Sequence, residues 1–370
     1  PLAIALDKAV AHPREVSTQV KYLQRARLKL PRLYEARAII PQRAFEQSSS
    51  EESAEAKRLS GKRLLDLTCG LGVDAAALSK RFERVVALER DEVLAEVVRE
   101  NMRRQGITNV EVVTSSAEEY VARAEEQFDW VYVDPDRRTA TEERVVRLED
   151  CSPNVLELMP RLHRIAERVA IKLSPMFDCA EAFRLCSPAE VEVVSIGGEC
   201  KELNIYTRAK EDMLRIAVVG DGEWVYPAGA MTTTVEGESP AIDQWRYLIV
   251  PDVALQKARV AIAALKPHAS IWSNNGYAFA RELPTEHLPA RIYAIERVEE
   301  YHPAQLKRRL KGRGVEFMKR DTSLSVESVR RATATRAGGD VLIALTTING
   351  VNYAIELNPK PICSYETKEA

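Results

Sequence analysis

The run Leu65-Asp66-Leu67-Thr68-Cys69-Gly70-Leu71-Gly72-Val73-Asp74 reads as a short apolar strand that breaks into a glycine turn and restarts as a helix. Gly70 and Gly72 would let backbone N–H groups approach a ligand at the strand's carboxyl end, where open α/β sheets bind. Outward from this run the rhythm repeats. Strands are predicted over residues 63–67, 84–88, 110–113, 128–133 and 168–173, with helices opening at Asp74 and Glu92 between the first of them. Alternating βα units of this kind build a parallel sheet with helices on both faces. Residues 191–196 and 214–219 could supply two more strands and close a doubly wound, Rossmann-like sheet of seven.

A glycine pair is weak evidence for any one ligand, and Gly70-x-Gly72-x-x-Ala75 formally fits the dinucleotide fingerprint. Asp66 argues against that reading. A pyrophosphate on this turn would meet a carboxylate in a partly dry site, where like charges repel. S-adenosylmethionine presents an ammonium and a sulfonium instead, and a carboxylate suits both. The turn residues Asp66, Thr68, Gly70, Gly72 and Asp74 are therefore expected to contact that cofactor. Glu89 ends the second strand, seventeen residues past Gly72, where it can accept both ribose hydroxyls. Ala117 and Glu118 follow the third strand and would border the adenine.

The fourth strand ends in Val133-Asp134-Pro135-Asp136-Arg137-Arg138. Asp134 could orient an attacking nitrogen or take its proton, with Pro135 as a stiff corner. Arg137 and Arg138 could clamp a phosphate.

From Ile39 to about Val219 these motifs resemble the class I S-adenosylmethionine-dependent methyltransferases. More narrowly, the chain is similar to bacterial methyltransferases with a THUMP-like C-terminal domain. That narrower likeness rests on Phe45 to Glu51, Asp66 to Asp74, Asp134-Pro135-x-Arg137-Arg138, Lys172 to Met176 and Gly198 to Leu203. The resemblance implies that Gln47 to Ser50 form a lid segment, with Gln47 and Ser49 near the cofactor. It also implies a ferredoxin-like piece from about Tyr247, then a THUMP-like piece that contacts RNA. One departure matters. Methyltransferases acting on exocyclic amines of bases usually follow their Asp/Asn-Pro with another proline and a stacking aromatic, and here Asp136 and Arg137 hold those places.

The rest of the chain sets the frame. With 370 residues, two to three compact units are expected. The divisions read as a helical N-terminal region over 1–60, the methyltransferase domain over 61–220, a ferredoxin-like α+β piece over 240–296 and a THUMP-like piece over 297–370. Gly, Pro and Thr cluster between Asp221 and Pro240 at the main boundary, and one helix is predicted over 254–265. No run approaches the roughly 18 apolar residues of a membrane span. The opening Pro1 to Lys8 lacks a basic region before its short apolar stretch, so no signal peptide is expected. Six scattered cysteines without a Cys-x-x-Cys pair, and five histidines without ligand spacing, point to a reduced, cytoplasmic, metal-free protein.

The net charge of −2 conceals two basic clusters. Residues 14–43 hold eight Lys/Arg against Glu15 and Glu35, and residues 307–320 hold seven against Glu316. Lys307, Arg308, Arg309, Lys311 and Arg313 alternate with apolar anchors and are expected to meet phosphates. The reading is an enzyme that methylates RNA, tRNA or rRNA, at a base nitrogen. A methyltransferase for a small molecule or protein is one alternative. An RNA-binding module that keeps the cofactor without turnover is the other.

Overall fold

The computed structural model describes residues 11–136, 147–232 and 244–362. Its contacts divide the chain into two units. The first runs to Val191 and takes up Glu202–Glu211; the second comprises Glu192–Lys201 and everything from Asp212.

The first unit opens with helices α1 (Pro13–Lys29), α2 (Pro31–Glu35), α3 (Gln42–Gln47) and α4 (Glu51–Glu55). Ser50 caps α4: its hydroxyl accepts the Ser53 N–H at 3.1 Å. There follow β1 (Gly61–Asp66), α5 (Val73–Leu78), β2 (Phe82–Glu89), α6 (Glu92–Arg104), β3 (Val110–Thr114), α7 (Ala117–Arg123), β4 (Phe128–Val133), α8 (Val155–Ile165), β5 (Ala166–Leu173) and α9 (Cys179–Cys186). Strands β3, β2, β1, β4 and β5 lie side by side in that order and all parallel. Chain order reverses at β1, which pairs with β2 on one side (Asp66 opposite Ala87) and β4 on the other (Asp66 opposite Tyr132). A reversal of this kind opens a crevice beyond the strands' carboxyl ends.

Two strands follow α9, β6 (Ala189–Ile196) and β7 (Glu199–Thr207), joined by Gly197-Gly198 with φ of 59° and 79°. Two successive positive φ values suit a type I′ hairpin. The strand beside β5 is β7, antiparallel, with Lys172 opposite Asn204. The sequence reading of residues 191–196 and 214–219 as the closing strands missed it, because Glu199 to Glu202 carry three charges and hide the apolar run that follows.

The helical cover is tied to the cofactor-side turn through a shared core. Tyr22, Ala26, Leu30, Leu33 and Phe45 pack with Leu71, Val73 and Ala77. Tyr22 and Phe45 meet edge to face at 5.4 Å. Asn101 of α6, buried, donates to Ile39 O and accepts from Ile39 N, both at 2.8 Å.

In the second unit β8 (Met213–Val218) pairs antiparallel with β9 (Gly222–Pro227), a strand hidden in the expected boundary region. A six-stranded sheet follows from β10 (Tyr247–Pro251), β11 (Ala278–Ala280), β12 (Ala290–Glu300), β13 (Gly314–Lys319), β14 (Arg336–Ile348) and β15 (Val351–Leu357), in the order β11-β10-β12-β15-β14-β13. The expected helix over 254–265 is two short ones, α10 (Val253–Lys257) and α11 (Ala261–Leu265), because Arg259 sits at φ 56° and breaks the turn. Helix α12 (Pro303–Leu310) buries Leu306 and Leu310 against Val315 and Ile343, with Val329 of α13 (Val326–Thr333) in the same core. Strands β14 and β15 are joined by a tight turn at Asn349-Gly350, a residue pair that favours such hairpins, with φ of 51° and 79°.

Candidate active site at the carboxyl ends of the first and fourth strands

The turn after β1 is bonded to both neighbouring strands. Leu67 N donates to Tyr132 O at 2.9 Å and Cys69 N to Leu88 O at 2.8 Å. Gly70 and Gly72 both take positive φ, 52° and 81°. At Gly72 space forbids a side chain as well: a Cβ would lie 2.8 Å from Met102 Cε and 2.9 Å from Val98 Cγ1. Thr68 links this turn to the β4 corner, its hydroxyl accepting the Asp134 backbone N–H at 2.8 Å.

Asp66 sits at the mouth of β1 with 1% of its surface exposed. Its Oδ1 accepts the Thr68 N–H at 2.9 Å, while its Oδ2 is buried with no hydrogen-bond partner. Burial pushes this carboxyl up to about 8 against the Thr68 N–H, and Asp74, Asp134 and Glu89 push it the same way. A buried, unpaired carboxylate oxygen among three other acids is a site short of a cation, and the ammonium end of S-adenosylmethionine fits that need. Glu89 closes β2. Its Oε2 accepts Gly70 N at 3.0 Å and its Oε1 accepts Asp91 N at 2.9 Å. Burial raises this carboxyl too, opposed by those N–H groups. Each oxygen keeps lone-pair capacity for a hydroxyl donor.

On the other side of the turn lies a chain of buried charges. Lys172, next to last in β5, places Nζ 2.5 Å from Asp134 Oδ2 and 2.8 Å from Ser49 Oγ. The Ser49 hydroxyl donates to Asp74 Oδ2 at 2.8 Å, and Tyr132 OH reaches the same oxygen at 3.2 Å. Asp74 Oδ1 lies 2.8 Å from Lys57 Nζ, which stands 3.3 Å from Glu202 Oε1. Glu202 also accepts from Ser53 Oγ at 2.6 Å and Asn204 Nδ2 at 3.1 Å. Burial alone would raise the Asp74 carboxyl, but Lys57 and Lys172 hold it down at about 2. Burial likewise works against both ammonium groups, yet Asp74 and Glu202 raise Lys57, and Asp134, Asp74 and Glu202 raise Lys172. Opposite partners thus favour the charged forms of Asp74, Lys57 and Lys172 against the cost of burial.

The structure brings Asp66, Thr68, Gly70, Gly72, Glu89 and Asp134 together, with Ser49 reaching in from the helical cover. Asp74 is near, but its carboxylate is taken up by Ser49, Tyr132 and Lys57. Ala117 is buried and Glu118 exposed in the first turn of α7, and Gln47 is exposed at the end of α3. Pro135 is buried. Asp136 exchanges backbone bonds with Ser152, at 2.8 and 2.9 Å. Arg137 and Arg138 lie outside the described residues. In the second unit, Lys307, Arg308, Lys311 and Arg313 are exposed, with Arg313 3.7 Å from Asp340. Arg309 is turned inward to Glu299 and Glu356. Sequence reasoning missed Lys57 and Glu202. For Glu202 the available signal was its place in the Gly198 to Leu203 motif; nothing in the spacing marks Lys57.

Among the described residues no helix is long and apolar enough to cross a membrane, and no group of three metal-capable side chains occurs. The family described as Conserved hypothetical protein 95 matches residues 42–150, and the one described as THUMP domain-like matches residues 290–359. An uncharacterised S-adenosylmethionine-dependent methyltransferase of Mycobacterium tuberculosis is 24% identical over 301 residues, 79% of either chain. A 23S rRNA (uracil(1939)-C(5))-methyltransferase of Klebsiella pneumoniae is 36% identical over 102 residues, 27% of this chain and 22% of its own. In fold, the chain matches a candidate methyltransferase from Porphyromonas gingivalis W83 with a TM-score of 0.83, at 23% identity and over 96% and 93% of the two chains. The fold and these relatives together define an S-adenosylmethionine-dependent methyltransferase of class I. The match over residues 290–359 makes it similar to those that carry a THUMP-like C-terminal domain.

Proposed function

We propose that this enzyme methylates a nitrogen of an RNA base, in tRNA or rRNA, and that the crevice at β1 and β4 is where it does so. The observation that carries the cofactor site is the unpartnered Oδ2 of Asp66 among Asp74, Asp134 and Glu89. When bound, S-adenosylmethionine supplies an electrophilic methyl group on a sulfonium. Asp66 holds the ammonium end, the backbone from Gly70 to Gly72 follows the chain of the cofactor, and Glu89 takes the ribose hydroxyls. Ala117 and Glu118 border the adenine, and Gln47 and Ser49 lie on the lid side. Asp134 receives a hydrogen bond from the acceptor nitrogen and aims its lone pair, Pro135 fixes the corner, and Arg137 and Arg138 hold an RNA phosphate. Proximity and orientation then supply most of the rate.

RNA as the substrate is supported by relatives named for rRNA and for tRNA/tmRNA uracil-C5 methylation, by the THUMP-like match and by the exposed Lys307, Arg308 and Lys311. Nitrogen rather than C5 is supported by the state of Cys69. An aromatic carbon becomes reactive after a nucleophile such as a thiolate adds to the ring. Burial pushes the Cys69 thiol well up, with Asp66, Glu89 and Asp74 adding to it, so this turn offers no thiolate.

The test is transfer of a radiolabelled methyl group to fractionated cellular RNA. Label is expected in RNA with wild type and not with Asp134→Ala, which should still bind cofactor within a few-fold. Label confined to protein or small molecules would overturn the RNA reading, and normal turnover by Asp134→Ala would reduce the Asp-Pro to a strand stop.

A further inference from the structure

Asp134 and Lys172 offer a substrate two complementary groups side by side. The Lys172 ammonium has three N–H donors, of which one meets Asp134 Oδ2 at 2.5 Å and one meets Ser49 Oγ at 2.8 Å. The third has no partner among the described residues. Asp134 is about one-third exposed, and its Oδ1 accepts no hydrogen bond from a described residue. Among the described residues the ion pair therefore leaves one acceptor and one donor for whatever enters the crevice, and Ser49 keeps the lysine from swinging away.

The charge of the lysine separates the possible acceptors. When an exocyclic amine attacks, positive charge develops on the base, and an ammonium within hydrogen-bond reach opposes it. When a ring N–H beside a carbonyl is deprotonated and attacks, negative charge develops on the carbonyl oxygen, and the same ammonium stabilises it. The corner fits the second case. Asp136, which holds the place of the second proline in the exocyclic-amine pattern, is locked to Ser152 by two backbone bonds of 2.8 and 2.9 Å. Resting on the RNA reading above, we infer that the acceptor is a lactam edge of a base, a ring N–H flanked by a carbonyl as in guanine N1 or uracil N3, with Lys172 as the residue that selects it.

The step balances with the groups already named. The N–H bond breaks and its proton goes to the Asp134 carboxylate. The electron pair left on the lactam forms the new N–CH3 bond. The bond between that methyl carbon and the cofactor sulfur breaks, and its pair stays on sulfur, which becomes a neutral thioether. Lys172 donates to the carbonyl oxygen throughout, and Asp134 later releases its proton to water.

The experiment is methylation of unmodified RNA with methyl-deuterated cofactor, followed by digestion to nucleosides and mass spectrometry. Deuterium is expected in a ring-nitrogen-methylated guanosine or uridine. Lys172→Met should lower kcat about 10²-fold, as removal of one donor to a developing oxyanion does, with cofactor binding changed less than about threefold. Its deficit should shrink as pH rises toward the lactam's own ionisation, which loss of a merely structural contact would not produce, and Lys172→Arg should recover most of the activity. Deuterium on an exocyclic amine, on C5 or on ribose would overturn the lactam inference and leave the RNA reading standing. No deuterium in any RNA, with cofactor binding intact, would bring down both. The wild-type product alone decides the matter if the Met variant does not fold.

Discussion

Because Asp66 is an acid held at about 8 in a site built for a cation, cofactor binding must be linked to a proton. At pH 6 a carboxyl of that strength is ionised in about 1% of molecules, at pH 7 in about 10% and at pH 8 in about half. If only the ionised form receives the ammonium, apparent affinity falls by the ionised fraction. Binding should then strengthen about tenfold from pH 6 to pH 7 and about fifty-fold from pH 6 to pH 8, roughly 1.4 kcal/mol per unit at the steep end. Above pH 8 it should level off. Isothermal titration of the demethylated cofactor, run at each pH in two buffers of different ionisation enthalpy, reads both the slope and the proton released. Asp66→Asn should bind weakly at every pH and lack this slope, and subtracting it removes any titration of the ligand itself. A wild-type line flat from pH 6 to pH 8, or a slope retained in Asp66→Asn, would refute the reasoning. The sign carries over to stability. The folded apo protein holds this proton between about pH 4 and pH 8 while the unfolded chain does not, so stability from this group falls as pH rises through that window.

Glu89→Ala should weaken cofactor binding by roughly 1.5–3 kcal/mol in calorimetry, since it loses a charged partner for the ribose and frees Gly70 N. Lys57→Met should destabilise the fold by about 3–5 kcal/mol in denaturant titrations, because it leaves the buried Glu202 without its cation, and Glu202→Gln should cost less, because Asp74 still pairs with Lys57. The double variant should cost less than the sum, and additivity would show the two do not interact. Replacing Lys307, Arg308 and Lys311 by Gln should lower the log–log salt slope of RNA binding by about 2. Arg309→Ala should chiefly destabilise the unit, since Glu299 and Glu356 already hold that guanidinium. An unchanged slope would remove this segment from the RNA site.

The parts of the fold legible in the sequence were those whose pattern is local. The β1 turn announced itself through Gly70 and Gly72, the α4 start through Ser50, and the last hairpin through Asn349-Gly350. Strand β7 was not legible, because its first four residues carry three charges, and one of them, Glu202, is buried only because Lys57 arrives from 145 residues away. The break in the helix over 254–265 depends on one backbone angle at Arg259 that no residue type announces. In the site, Asp66, Glu89 and Asp134 stood out as acids at strand ends. That Asp74 is spoken for by Lys57 and Ser49, and that Lys172 is clamped to Asp134, follows from the packing of the helical cover and cannot be read from spacing.

The path of the chain between the two units bears on how such an enzyme can be taken apart or assembled. Two domains joined end to end share one seam, but here the backbone crosses at 191/192, at 201/202 and again at 211/212. A cut at the last seam leaves the N-terminal product carrying ten residues that belong to the other unit, and a cut at the first strips ten that it owns. The C-terminal unit is therefore not a cassette. A chimera that lends it to another enzyme must supply Glu192–Lys201 with it while leaving Glu202–Glu211 behind, and a cut at a single seam leaves at least one product with residues that belong to the other.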